Sequence, residues 1–382
     1  MVTLSLANDT LLKRYGRNYG IDLLRIVAVY MIVVLHVLYF GGVLSSVSPL
    51  SLRYSVAWFL EMAAYGSVNV FAVISGYVNY NRKIKYSNLL LLCIQILFYT
   101  VMTTAVFGAF YRSRVTAQTL IYAVIPFKIS GYWYFAAYFC LFFFMPYLNK
   151  LTECIDRKSS AKILIACFGV FSVLPTVLYQ DIGGLANGYS VTWLAVMYFA
   201  GACVKKFDYK LNPKKAFLYY MLCVVASLAG KLGMETVSRM VLGQAKYGNL
   251  FSSYISPLIV LSSVFLFLCC KELKLNDRAV GIVRFFAPTT FGVYLIHMEP
   301  LIKDFFIVDR FSGFASLPAL PMALCVLSTA LGIWLVCSLI DRVRLMLFAR
   351  LKIPSLCVRM EEKIRGFITN HLLRPVAGTS QD

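Results

Sequence analysis

Apolar runs of roughly twenty residues, separated by short polar joints, recur from one end of the chain to the other. A helix rises 1.5 Å per residue, so about 20 apolar residues match the hydrocarbon core of a bilayer. By that criterion the runs predict about ten helices, near 20–40, 55–79, 87–110, 131–148, 161–179, 190–205, 215–232, 251–270, 282–303 and 318–346. Pro, Gly, Ser and Asn collect at several joints, including 45–49, 183–188 and 312–318, as breakers do. The expected fold class is an all-α integral membrane protein, a bundle of about ten transmembrane helices.

Loop charge orients that bundle. With ten spans both termini share a side, and that side collects most of the 37 basic residues. Cytoplasmic loops carry the Lys and Arg excess, so both termini are expected in the cytoplasm. In this reading Arg82, Lys83, Lys85, Lys271, Arg342 and Arg344 are cytoplasmic loop charges, and Lys231 is an outer one. The segments are then a cytoplasmic stretch 1–19, a membrane domain 20–346, and a basic tail 347–382 that mixes apolar and charged residues. Such a tail suits a helix lying on the membrane surface.

Composition excludes several classes. Hydrophobic residues make up 60% of the 382 and charged residues 14%, with a mean hydropathy of +0.74. A soluble domain of this length could not keep so much apolar surface from water. The formal charge of +20 sits between apolar runs, not on a nucleic-acid motif. Its natural partner is the anionic lipid of the inner leaflet, and no nucleic-acid partner is expected. Most of the eleven cysteines lie in or beside apolar runs, with no metal-ligand spacing, so buried free thiols and no metal are expected. Residues 1–20 are polar and basic and no small-residue cleavage site follows, so the first span is expected to be retained.

The candidate chemistry starts in the first span, IDLLRIVAVYMIVVLHVLYF (21–40), which holds Asp22, Arg25 and His36. Ionisable groups inside a span are expensive and mark function by default. Eleven residues at about 100° each return to within roughly 20°, so Arg25 and His36 share a face about 16 Å apart along the axis. Plainer roles compete: a helix-packing histidine, and an arginine that snorkels or pairs with Asp22. His297 lies at a similar depth and can orient His36, bind an acceptor or bond a neighbouring helix. Glu61 and Glu299 are the outward carboxylates best able to orient an imidazole; Glu61 is expected at the water interface and Glu299 at a helix end. Trp133, Tyr134, Tyr138 and Trp193 can stack on a sugar or anchor the interface. Ser75-Gly76 reads as a close-packing small pair.

The Arg25…His36 spacing, with Asp22 before it, resembles the opening helix of the membrane acyltransferase 3 family. VNVFAVISGY (68–77), YWYFAAYFCLFFFMPYLN (132–149), WLAVMYFAGACV (193–204), YISPLIVLSSVFLF (254–267), TTFGVYLIHMEPLI (289–302) and IDRVR (340–344) resemble its later helices in order. The family's arginine pair after the second helix appears here only as Arg82-Lys83-Ile84-Lys85, with lysine second; lysine lacks the planar fork that suits phosphate.

The resemblance implies acyl transfer, commonly acetyl, from a cytoplasmic acyl-CoA to a hydroxyl of an envelope glycan, in the bacterial cytoplasmic membrane. Acetyl-CoA, or another acyl-CoA, is then the donor substrate. Arg25, Arg82 and Lys85 would hold the coenzyme A phosphates. His36 would act as general base or take the acyl group itself, with His297 beside it. Glu61, Trp133, Tyr134 and Glu299 would face the acceptor. The competing class is a transporter or flippase of a lipid-linked glycan precursor, which would use the same buried charges as a path; a structural subunit is a third. The lipid-facing runs do not set an oligomeric state.

Overall fold

The computed structural model describes residues 17–126 and 130–371, whose regular structure is helical with no strand. Most of the expected 1–19 segment, and the tail beyond 371, lie outside the described residues. Helix α1 (Tyr19–Tyr39) begins at Asn18, whose side chain accepts from the Ile21 amide and so satisfies one orphan donor of the first turn. Helices α2 (Leu52–Tyr65) and α3 (Ser67–Asn79) follow, joined at Gly66. Then come α4 (Tyr86–Phe110), α5 (Trp133–Cys154), α6 (Arg157–Phe168), which continues through a π turn into Leu174–Leu178, and α7 (Val191–Phe207). The second half holds α8 (Pro213–Leu242), α9 (Pro257–Lys271), α10 (Asp277–Phe286), α11 (Thr290–His297), α12 (Pro300–Phe306), α13 (Ala319–Arg350) and α14 (Ile353–His371).

Every predicted run is occupied by helix. Among the described residues, seven helical stretches are long and apolar enough to cross a bilayer: Tyr19–Ser46, Leu52–Asn79, Tyr86–Phe110, Arg157–Leu178, Pro213–Leu242, Asp277–His297 and Ala319–Arg350. The sequence predicts ten. The remaining three helices fall short for visible reasons: α9 has 15 residues, α7 has 17, and α5 carries Trp, Tyr, Asn149 and Lys150.

The core is two adjoining apolar clusters, and α1 contributes to both, with Leu24 and Ala28 in one and Val33 and Val37 in the other. The tightest crossing is α3 on α7. A Cβ on Gly76 would overlap the Tyr198 carbonyl, and one on Gly201 would overlap that of Val73, so each backbone uses the other's glycine as a seat. The expected role of Gly76 holds. Beyond α1, the turn is pinned by Asp309 and Phe311, whose amides donate to the Phe40 and Gly41 carbonyls at 2.9 Å each. Gly42 there adopts φ +84°, which favours glycine. Outward rows such as Val101, Val106 and Phe110 on α4 and Leu324, Val336 and Val343 on α13 stay exposed, as lipid-facing positions would.

Three basic residues read as loop charges are instead buried and paired. Lys231 lies inside α8 and bonds Glu235 Oε1 at 2.6 Å; both are almost fully covered. Arg344 forms a two-armed pair with Asp341, Nε to Oδ1 at 2.9 Å and Nη2 to Oδ2 at 2.7 Å. Asp341 also accepts from Tyr99 at 2.5 Å and Gln95 at 3.3 Å, and it fills the space against Gly292. Lys271 closes α9 by donating to the Tyr209 carbonyl and the Glu272 carboxylate. Each charge is neutralised by a neighbour, so none behaves as a loop cation.

Candidate functional site

Helix α1 positions the two lead residues at opposite ends. Arg25, one turn after Asp22, donates to Asp22 Oδ1 at 2.7 Å, while Arg17 bonds Oδ2 at 2.6 Å. The Asp22 partner expected as the plain role of Arg25 is therefore present. The guanidinium keeps about a third of its surface, with 30% side-chain exposure, so it has donors left for an anion. His36 stands in the last turn of α1, closer to the helix end than the middle of the span.

His36 Nδ1 lies 2.8 Å from His297 Nε2, and His297 Nδ1 lies 2.5 Å from the Val293 carbonyl oxygen. A carbonyl only accepts, so His297 Nδ1 carries a proton and, in the neutral ring, Nε2 is an acceptor. His36 Nδ1 must then donate to it. That leaves the His36 Nε2 lone pair free, and it makes no protein hydrogen bond among the described residues. His297 is 1% exposed, whereas His36 keeps part of its surface. A rigid acceptor thus fixes tautomer and orientation of a partly exposed imidazole, which is what a general base needs. Phe40 packs on the His36 ring with centroids 5.2 Å apart, and Lys303 Nζ stands 5.2 Å from the Phe40 centroid.

At the Arg25 end a pocket of about 650 Å³ is lined by Asn81, Arg82, Lys83, Tyr86, Pro146, Asn149 and Glu153, and by Arg365 from α14. Lys85, the other predicted phosphate ligand, is exposed one residue before α4 and does not line it. Polar groups lead from this pocket toward Arg25. Asn149 donates to the Asn79 carbonyl at 3.0 Å and accepts from Tyr198 at 3.0 Å. The Tyr138 hydroxyl faces Asn79 and Ser75, with the Arg25 charge close by.

The predicted acceptor residues divide. Trp133 packs 4.4 Å from Tyr189 and stacks on Tyr254 at 5.9 Å between ring centroids; Tyr65 lies 5.0 Å from Tyr254. Tyr134 stands edge-on to Trp133 at 5.7 Å and stacks on Tyr138 at 6.1 Å. Glu61 reaches the same group and interacts electrostatically with Tyr65, Tyr189 and Tyr254. It was expected at the water interface but is only 5% exposed, with the Lys231 charge of α8 acting on it, and its Oε2 makes no hydrogen bond among the described residues. Glu299 lies apart from this group. It caps α12 by accepting from the Ile302 amide at 3.1 Å, the helix-end position expected of it.

Two features escaped sequence reasoning. One is the buried set Tyr54, Glu235, Lys231 and Trp58, with Lys231 Nζ 3.6 Å from the Trp58 ring centroid and Tyr54 donating to Glu235. Its signal was a Lys and a Glu four apart at the end of an apolar run, the spacing of a self-paired helix face. The other is Arg365, which nothing in the sequence connects to Arg82.

A family model described as an acyltransferase domain, acyltransferase 3, matches residues 18–339. Searches of curated proteins and of solved structures return no significant match. The match takes in α1 with its Arg25 and His36, the Arg82 loop and the His297 helix, and its extent assigns this multi-pass membrane chain to the acyltransferase 3 family of membrane acyltransferases.

Proposed function

We propose that the chain moves an acyl group, most simply acetyl, from a cytoplasmic acyl-CoA to a hydroxyl of a cell-surface or lipid-linked polysaccharide. The observation that carries this is the Val293–His297–His36 chain of hydrogen bonds, which leaves Nε2 of the partly exposed His36 ring with a free lone pair. The Arg25 end would receive the coenzyme A head, and the thin pantetheine arm would run along α1 to His36, about 16 Å away by helix rise.

In the transfer, His36 Nε2 takes the proton of the acceptor hydroxyl as that oxygen attacks the thioester carbonyl carbon. The tetrahedral intermediate collapses, the C–S bond breaks, and the sulfur leaves with its electron pair. The imidazolium returns the proton to that sulfur, giving free coenzyme A and the O-acyl ester. While His36 is charged, its Nδ1–H bond to His297 becomes charge-assisted and holds the ring in place. The Trp133–Tyr189–Tyr254 group, with the unpartnered Glu61 oxygen, offers faces and an acceptor for a sugar.

The test is coenzyme A release by the purified chain in lipid nanodiscs, with acetyl-CoA and a polysaccharide acceptor. Wild type should release thiol in an acceptor-dependent way. His36→Ala should lose about 10²–10⁴-fold, the usual contribution of a general base. Equal release by both proteins would remove His36 from the chemistry.

A further inference from the structure

Beyond residue 339, where the family match ends, α14 returns to the Arg25 end of the bundle. It is held there by Glu361, whose Oε2 accepts from the Ser87 amide at 2.9 Å at the start of α4. Glu361 Oε1 in turn accepts from Arg365 Nη2 at 2.9 Å, one helical turn on. That bond turns Arg365 into the pocket already lined by Arg82 and Lys83. Position 85, where the sequence pattern would look for a second phosphate ligand, contributes nothing to the lining.

We infer that the C-terminal helix completes the donor site, with Arg365 as a phosphate ligand for the nucleotide head of acyl-CoA. This rests on the acyl-CoA reading above. About 650 Å³ falls in the range of small-molecule sites, near 300–1,000 Å³. Three cations face the pocket, two of them guanidinium forks that match phosphate oxygens. The lining is not simply basic. Glu153 can accept from a ribose hydroxyl or an adenine amine, and the half-exposed Tyr86 ring offers a face for a base. A bare lipid phosphate has no use for either group. A nucleotide phosphate ester does.

Arg365 keeps half its surface, so its substitution leaves the bundle packing intact. The experiment uses the full chain in nanodiscs of neutral lipid and, in parallel, of anionic lipid. Acetyl-CoA kinetics and the thermal stabilisation given by free coenzyme A are both read. Arg365→Ala should raise KM for acetyl-CoA about tenfold, the loss of one charge-assisted hydrogen bond, with kcat within twofold of wild type. Arg365→Lys should fall between, and Glu361→Ala should raise KM by untethering the helix. S-acetyl-pantetheine, which lacks the nucleotide, should be used equally by wild type and Arg365→Ala.

An Arg365→Ala protein with unchanged KM and unchanged coenzyme A stabilisation overturns the inference while leaving acyl transfer standing. An Arg365 effect seen only in anionic nanodiscs, and equally with S-acetyl-pantetheine, assigns the pocket to a lipid phosphate and also overturns it. If wild type turns over no acetyl-CoA, the acyl-transfer reading fails instead. The pocket assignment then stands or falls on whether Arg365→Ala weakens the stabilisation by coenzyme A.

Discussion

His36 and His297 divide one task between a partly exposed ring and a buried one. Because His297 Nδ1 is committed to the Val293 carbonyl, the proton order along the pair is set by acceptor chemistry alone. His297→Ala removes the acceptor that aligns His36 without removing the proposed base. It should therefore lower kcat by about 10²-fold, the effect of a small misplacement of a reacting group. KM for acyl-CoA should stay near wild type, since His297 contacts His36, at the opposite end of α1 from Arg25. Steady-state kinetics check this; an effect on KM alone would make His297 a binding residue. The lead pair was legible in the sequence, since helix periodicity alone places Arg25 and His36 on one face. The bond between His36 and His297 was not, because 261 positions separate them and only packing sets their distance.

At the scale of helices, the bundle depends on a few contacts that tolerate no added atom or lost charge. Gly201→Ala puts a methyl against the Val73 carbonyl and should destabilise by about 1–3 kcal/mol, the range for overpacking, read as a lower Tm in detergent. An unchanged Tm would mean the α3–α7 crossing relaxes freely. Asp341→Ala leaves Arg344 buried without its partner and Tyr99 without its acceptor, and should cost about 3–5 kcal/mol by the same assay. The sequence identified each apolar run, because length and hydropathy are local properties. It misjudged Lys231, Lys271 and Arg344 because a charge at the edge of an apolar run looks like a loop. Only the position of Glu235, Tyr209 or Asp341 reveals that the charge is paired inside.

The whole molecule has two chemically different ends. One carries Arg25, the Arg82 loop and the docked tail; the other carries the histidine pair, Lys303 and the Trp133 aromatic group. The exposed pocket cations act through solvent, so KM for acyl-CoA should rise with ionic strength while kcat holds. A salt-independent KM would point away from phosphate recognition at Arg82, Lys83 and Arg365. The orientation expected from loop charge puts the Arg25 end in the cytoplasm. The exposed Cys154, at the end of α5 beside the pocket, should then react with a membrane-impermeant maleimide only in inverted vesicles, with Cys154→Ala as the control. Labelling in intact cells would reverse the orientation. The tail shows where sequence reading stops, since an amphipathic basic helix looks the same whether it lies on lipid or docks on α4.

The most direct test of the account is the acyl content of the cell's own envelope glycan. Wild type, a deletion, and the deletion complemented with His36→Ala would be compared by mass spectrometry of ester-linked groups. The account predicts that the glycan reaches the surface in all three, and loses one acyl mass in the deletion and in His36→Ala. A glycan retained inside the cell with its acylation unchanged would contradict it and make the chain a transporter.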